Sequence, residues 1–121
     1  MVICKDNVFL LKNDTLSYLF RVGKYGELQH LHFGAPVDID DAEAFACRPG
    51  LGWGSSVLLN DADSASCLDD YALEWSGSGR GDYRESPLEL AGVSTDFRYE
   101  GFEILEGTAP MALPQAHGAI Q

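Results

Sequence analysis

Residues 77–85, GSGRGDYRE, place four hydrogen-bonding side chains, Asp82, Tyr83, Arg84 and Glu85, directly behind three glycines. A glycine-rich run can cradle a phosphate, because backbone N–H groups close on the anion when a helix N-terminus stands behind them. Gly77-x-Gly79 is half of a dinucleotide fingerprint, but the third place holds Asp82 and no helical pattern follows. Nucleotide chemistry is therefore set aside. Arg80-Gly81-Asp82 also spells an adhesion tripeptide, read here as a chance match.

Metal chemistry has three candidates, and none is complete. Asp61-x-Asp63 opens like a calcium loop, but Ser66 and Ala72 stand where such a loop needs glycine and glutamate. His30 and His32 are two apart on a predicted strand, which puts both imidazoles on one face. No further histidine lies close in sequence, so they read as strand-surface residues. Asp38, Asp40, Asp41 and Glu43 crowd six positions and read as a solvated loop. The three cysteines, Cys4, Cys47 and Cys67, form no C-x-x-C pair and read as reduced thiols. Nothing singles out a catalytic pair among the 19 carboxylates. Neither a metal, a cofactor nor a catalytic residue is assigned.

The elements that must carry these residues are strands. Leu16, Tyr18, Phe20 and Val22 alternate with Ser17, Leu19 and Arg21, the period-two pattern of a half-buried strand. Gly23-Lys24-Tyr25-Gly26 supplies a turn, and Leu28–Phe33 returns, so residues 16–33 predict a β-hairpin. Val8–Leu11 is an earlier strand. Between Val37 and Asp70 the pattern dissolves into a long irregular region, relieved by a helical turn at Asp41–Ala46 and a short strand at Ser55–Leu59. Order returns at Tyr71–Trp75 and Leu88–Leu90, and the last strand spans Asp96–Leu105. Phe97 and Tyr99 share one parity while Phe102 and Ile104 share the other, which predicts a β-bulge at Gly101. The fold class is all-β, an antiparallel sandwich.

A chain of 121 residues with 45% hydrophobic side chains makes one domain of ordinary size with a real core. Its formal charge of −11 argues against nucleic acid, which needs cations to displace counterions, and against an anionic membrane surface. No signal peptide or membrane-spanning run is legible, and with the odd cysteine count this predicts a cytoplasmic protein.

Several stretches resemble the amino-terminal region of bacterial α-galactosidases of glycoside hydrolase family 36. That family opens with F-x-L and S-Y-x-F strands, then G-x-L-x-H and an aromatic-glycine step. Phe9-Leu10-Leu11, Ser17-Tyr18-Leu19-Phe20, Gly26-Glu27-Leu28-Gln29-His30 and Phe33-Gly34 stand in those places. Cys67-Leu68-Asp69, Leu73-Glu74-Trp75 and Gly77-Ser78-Gly79 follow in the family's order. Gly81-Asp82-Tyr83-Arg84-Glu85 is similar to its G-D-F/Y-R-E-P, and Thr95-Asp96-Phe97-Arg98-Tyr99 to its T-D-L/F-R-Y. Glu103-Ile104, Gly107, Pro110 and Leu113-Pro114 echo its closing segment. Ser86 replaces the family's proline, and residues 47–66 do not resemble the family's text.

The resemblance implies the first part of a galactose-mutarotase-like supersandwich, spanning residues 1–121 with the long loop region at 37–70. It implies a larger retaining enzyme that releases terminal α-galactose, with both carboxylates in a later β/α barrel absent from this chain. The 121 residues alone are then expected to hydrolyse nothing. Their roles would be scaffold, homo-oligomer contact and active-site mouth, their partners the rest of the polypeptide and, in the whole enzyme, the galactoside. Trp53, between Gly52 and Gly54, could stack on a sugar face or pack its own loop. Arg84 could clamp a carboxylate or backbone carbonyls. The alternative is a stand-alone carbohydrate-binding or assembly module.

Overall fold

The computed structural model describes residues 1–47, 62–63, 66–77 and 84–107. Four antiparallel strands, β1 (Val2–Lys5), β2 (Val8–Lys12), β3 (Ser17–Val22) and β4 (Leu28–Gly34), form one sheet in chain order. The architecture is all-β with little helix, consistent with a layer of a sandwich. Each connection is a tight turn with a local cause. Asp6 and Asn7 both take left-handed backbone angles (φ 51° and 63°), the two-residue turn whose twist matches a hairpin. Between β2 and β3, Asn13 Oδ1 accepts from the backbone N–H of Thr15 and Leu16, folding the chain on its own side chain. Gly26, at φ 83°, closes the β3–β4 turn in a conformation that favours glycine.

The alternation across β3 sorts its side chains as expected, but the deeper face is not the aromatic one. Leu10 and Leu19 are wholly buried, and they pack with Leu31 and Ala42. Ser17, on the same face, is 1% exposed. This face is covered by residues 37–46. Val37 N–H donates to Ser17 Oγ, and a 3-10 turn (Ile39–Asp41) leads into one helical turn, α1 (Ala42–Phe45). The expected helical turn is therefore present.

The acidic cluster stays exposed to solvent, as expected, and at the same time holds this cover in place. Asp38 caps the 3-10 turn by accepting from Ile39 N–H through Oδ1, and its own N–H donates in return to Asp41 Oδ2. Asp40 meets Lys5 Nζ at 2.5 Å, and Glu43 meets Arg21 Nη1 at 3.0 Å. The Asp40 hydrogen bond is the first cause of a raised Lys5 pKa.

Strand β4 carries one extra residue. Leu19 faces His32 and Phe20 faces His30, so Leu31 has no partner of its own and turns into the core. The bulge overturns the expectation that His30 and His32 share a face. His32 stacks at 4.8 Å on Phe45, on the core side. His30 stands with Phe20 and Tyr18 on the opposite, aromatic side.

That aromatic side is a continuous ring network. Phe9 stacks on Phe20 at 5.0 Å, Tyr18 lies 5.3 Å from Phe20, and Tyr18 meets Phe33 edge-on at 6.2 Å. Phe102 and Tyr99 reach over from the last segment onto Phe9. The cover is partial, and Phe33 stays 67% exposed.

The strand expected at Asp96–Leu105 is a correction. These residues form no ladder among the described residues, and the bulge predicted at Gly101 has no ladder to interrupt. Alternating side chains mark a chain able to enter a sheet, but a strand also needs a partner edge. Here the tie is one bond, from Tyr99 N–H to the Gly26 carbonyl. Strand β1, conversely, has no expected counterpart, although Asp6-Asn7 between short apolar runs is a hairpin signal. Tyr71–Trp75 only approaches strand form, pairing through Leu73 opposite Gln29. Likewise Leu88–Leu90 makes one bridge, from Leu90 to Val93 around the Gly92 turn. The short strand expected at Ser55–Leu59 lies outside the described residues.

Replacing Leu19 with alanine removes buried side-chain volume between the sheet and its cover. The expected loss is about 2–5 kcal/mol of unfolding free energy, read from the urea midpoint.

Candidate functional site

The backbone at residues 66–77 is what brings the predicted site residues together. Leu73 sits beside β4, with His30 N–H donating to the Ala72 carbonyl (2.7 Å) and Glu74 N–H to the Leu28 carbonyl (2.9 Å). Side chains reinforce the backbone: His30 Nδ1 lies 2.5 Å from Glu74 Oε1. The Tyr18 hydroxyl also meets the Glu74 carboxylate. Burial first, and then that carboxylate, push the Tyr18 pKa up.

Arg84 supplies a second tie. Its Nη1 donates to the Tyr71 carbonyl at 2.6 Å and its Nη2 to the Leu68 carbonyl at 2.8 Å. One planar fork thus holds both ends of a short turn, a 3-10 turn at Leu68–Asp70. Of the two alternatives left open for Arg84, the carbonyl clamp is formed. Glu85 is exposed beside it. Asp82, Tyr83 and Trp53 lie outside the described residues.

A strap closes the arrangement. Residues 95–99 run from Gly77 to Gly26, across the mouth of the β3–β4 hairpin. The Thr95 carbonyl occupies the space a Gly77 side chain would need, so only glycine allows this approach. At the far end, Tyr99 N–H donates to the Gly26 carbonyl at 2.9 Å.

Beneath the strap is a cavity of about 290 Å³. Leu28 enters it from β4, Leu68, Leu73 and Trp75 from the clamped segment, and Phe97 and Tyr99 from the strap. Trp75 meets Phe97 edge-to-face at 5.5 Å. The polar groups at this cavity are engaged. Glu27 accepts from Tyr25 N–H and Gln29 Nε2, while Arg98 pairs with Asp96 at 3.3 Å. The site is therefore chemically an apolar receptacle, with nothing that resembles an acid and a base poised over a bond.

The other predicted chemistry is dispersed. Asp63, from the calcium-like stretch, accepts from Tyr25 Oη, Lys24 Nζ and Ser66 Oγ, pinning its segment to the β3–β4 turn. Cys4 and Cys47 are free thiols, and Cys67 is buried on another part of the fold. Among the described residues, no group of three His, Cys, Asp or Glu side chains could hold a metal ion. None of the helices among them is long and apolar enough to cross a membrane.

What sequence reasoning missed is the convergence itself. The stretches at 26–30, 67–69, 73–75 and 95–99 are far apart in the chain, and each contributes to one cavity wall or its supports. Their shared resemblance to one family was the signal available.

Comparison with known proteins agrees with that resemblance. Residues 26–120 match the model of the glycosyl hydrolase family 36 N-terminal domain. A stretch of 78 residues, 64% of this chain, is 38% identical to alpha-galactosidase 1 of Pediococcus pentosaceus. That stretch is 10% of the relative, so the chain spans only a small part of its length. No solved structure matches.

Two measurements probe these ties. Lysine at position 84 keeps the charge but cannot bridge two carbonyls. Arg84→Lys is therefore expected to cost about 1–2 kcal/mol of stability and to speed hydrogen exchange at Tyr71 N–H, which shares the Leu68 carbonyl. Tyr18 is held neutral in the folded protein, so its contribution is complete below the unfolded tyrosine pKa of about 10 and declines as pH rises beyond it. Thermal melts between pH 9 and 11 are expected to show a steeper loss in the native protein than in Tyr18→Phe.

Proposed function

The chain belongs to the glycosyl hydrolase family 36 N-terminal domain family, and from that membership we propose that it is the opening β-sandwich portion of an α-galactosidase. The complete enzyme hydrolyses terminal α-galactosides with retention, using one carboxylate as nucleophile and a second as acid/base. This portion supplies scaffold, and the chemistry lies elsewhere in the polypeptide. The observation that carries the reading is the 38% identity to an alpha-galactosidase across 64% of the chain. The local geometry supports the scaffold role. Glu74, Asp38, Asp40, Asp41 and Glu43 are engaged in structural bonds, and the described cavity is apolar. A cytoplasmic location fits the free thiols of Cys4 and Cys47, and homo-oligomer contact fits the edge that β1 leaves unpaired among the described residues.

Trp53 is proposed to face the sugar from the loop at 47–66, where an indole ring offers a flat apolar surface to a pyranose. The reading is tested in the uninterrupted polypeptide encoded by the gene. That protein is expected to release α-galactose first from raffinose, seen by NMR before mutarotation, while the 121-residue chain releases none. Trp53→Ala is expected to lower kcat/KM on raffinose about threefold to tenfold, in line with the loss of one stacking contact. Activity in the 121-residue chain, or a frame that stops at Gln121, would end the α-galactosidase reading. Unchanged kinetics with Trp53→Ala would remove only the role of that residue.

A further inference from the structure

We draw no further inference here: the strongest candidate, the open polar cavity beside α1 that is lined by Arg21, Gln29, Glu43 and Tyr71, has its guanidinium already bonded to Gln29 and Glu43, and nothing in the structure shows what fills it.

Discussion

One additional residue in β4 governs how the rest of the chain can pack. Opposite Leu19 and Phe20, the strand spans three residues, His30 to His32, where its neighbour spans two. A sheet has a strict two-residue period, so this insertion reverses which side chains face which layer. Leu31 joins the buried cluster with Leu10 and Leu19, and His32 reaches the helical cover. His30 goes to the other side, where Glu74 can hold it. Without the insertion, the histidine that ties residues 72–74 to the sheet would point into the apolar core.

The sheet that results is unequal in its two faces. One is sealed by residues 37–46, whose acidic side chains cap the 3-10 turn or pair with Lys5 and Arg21 at its margin. The other is built of stacked rings and is covered only in part by Tyr99 and Phe102. An antiparallel sheet with one solvated face normally places polar side chains there. Here that face holds Phe9, Tyr18, Phe20 and Phe33, the composition of an inner layer. Its chemistry is that of a sandwich half, in accord with membership in a family defined by an N-terminal domain.

The ties around the cavity share a physical logic. Backbone that does not enter a ladder must find its hydrogen bonds elsewhere. The segment from 66 to 77 does so on Arg84 at one end and on His30 N–H and the Leu28 carbonyl at the other, and the strap does so on Gly26. The Arg84 and Gly26 ties use a side chain and a glycine that no regular element demands. The G-D-Y-R-E stretch that looks so reactive in the sequence thus contributes, through Arg84, a cation serving two carbonyls. Its strength comes from placing an ionised donor on neutral acceptors, and its specificity from the fixed fork of the guanidinium.

The residue pattern by itself determined the all-β class, the 16–33 hairpin, the helical turn near 41–46 and the family, because these rest on local periodicity, turn chemistry and short motifs. It also offered Arg84 as a clamp, on a carboxylate or on backbone carbonyls, without deciding between them. Only the tertiary structure decided which face of β3 is the deeper one, that His30 and His32 part company, and that Asp96–Leu105 stays outside a ladder. Leu19 is buried not because of its neighbours in sequence but because residues 37–46 return over it. A bulge is one residue among seven in β4 and leaves no mark in composition. Pairing and coverage depend on which distant segment arrives, and that is settled by loop closure and packing, which no local pattern encodes.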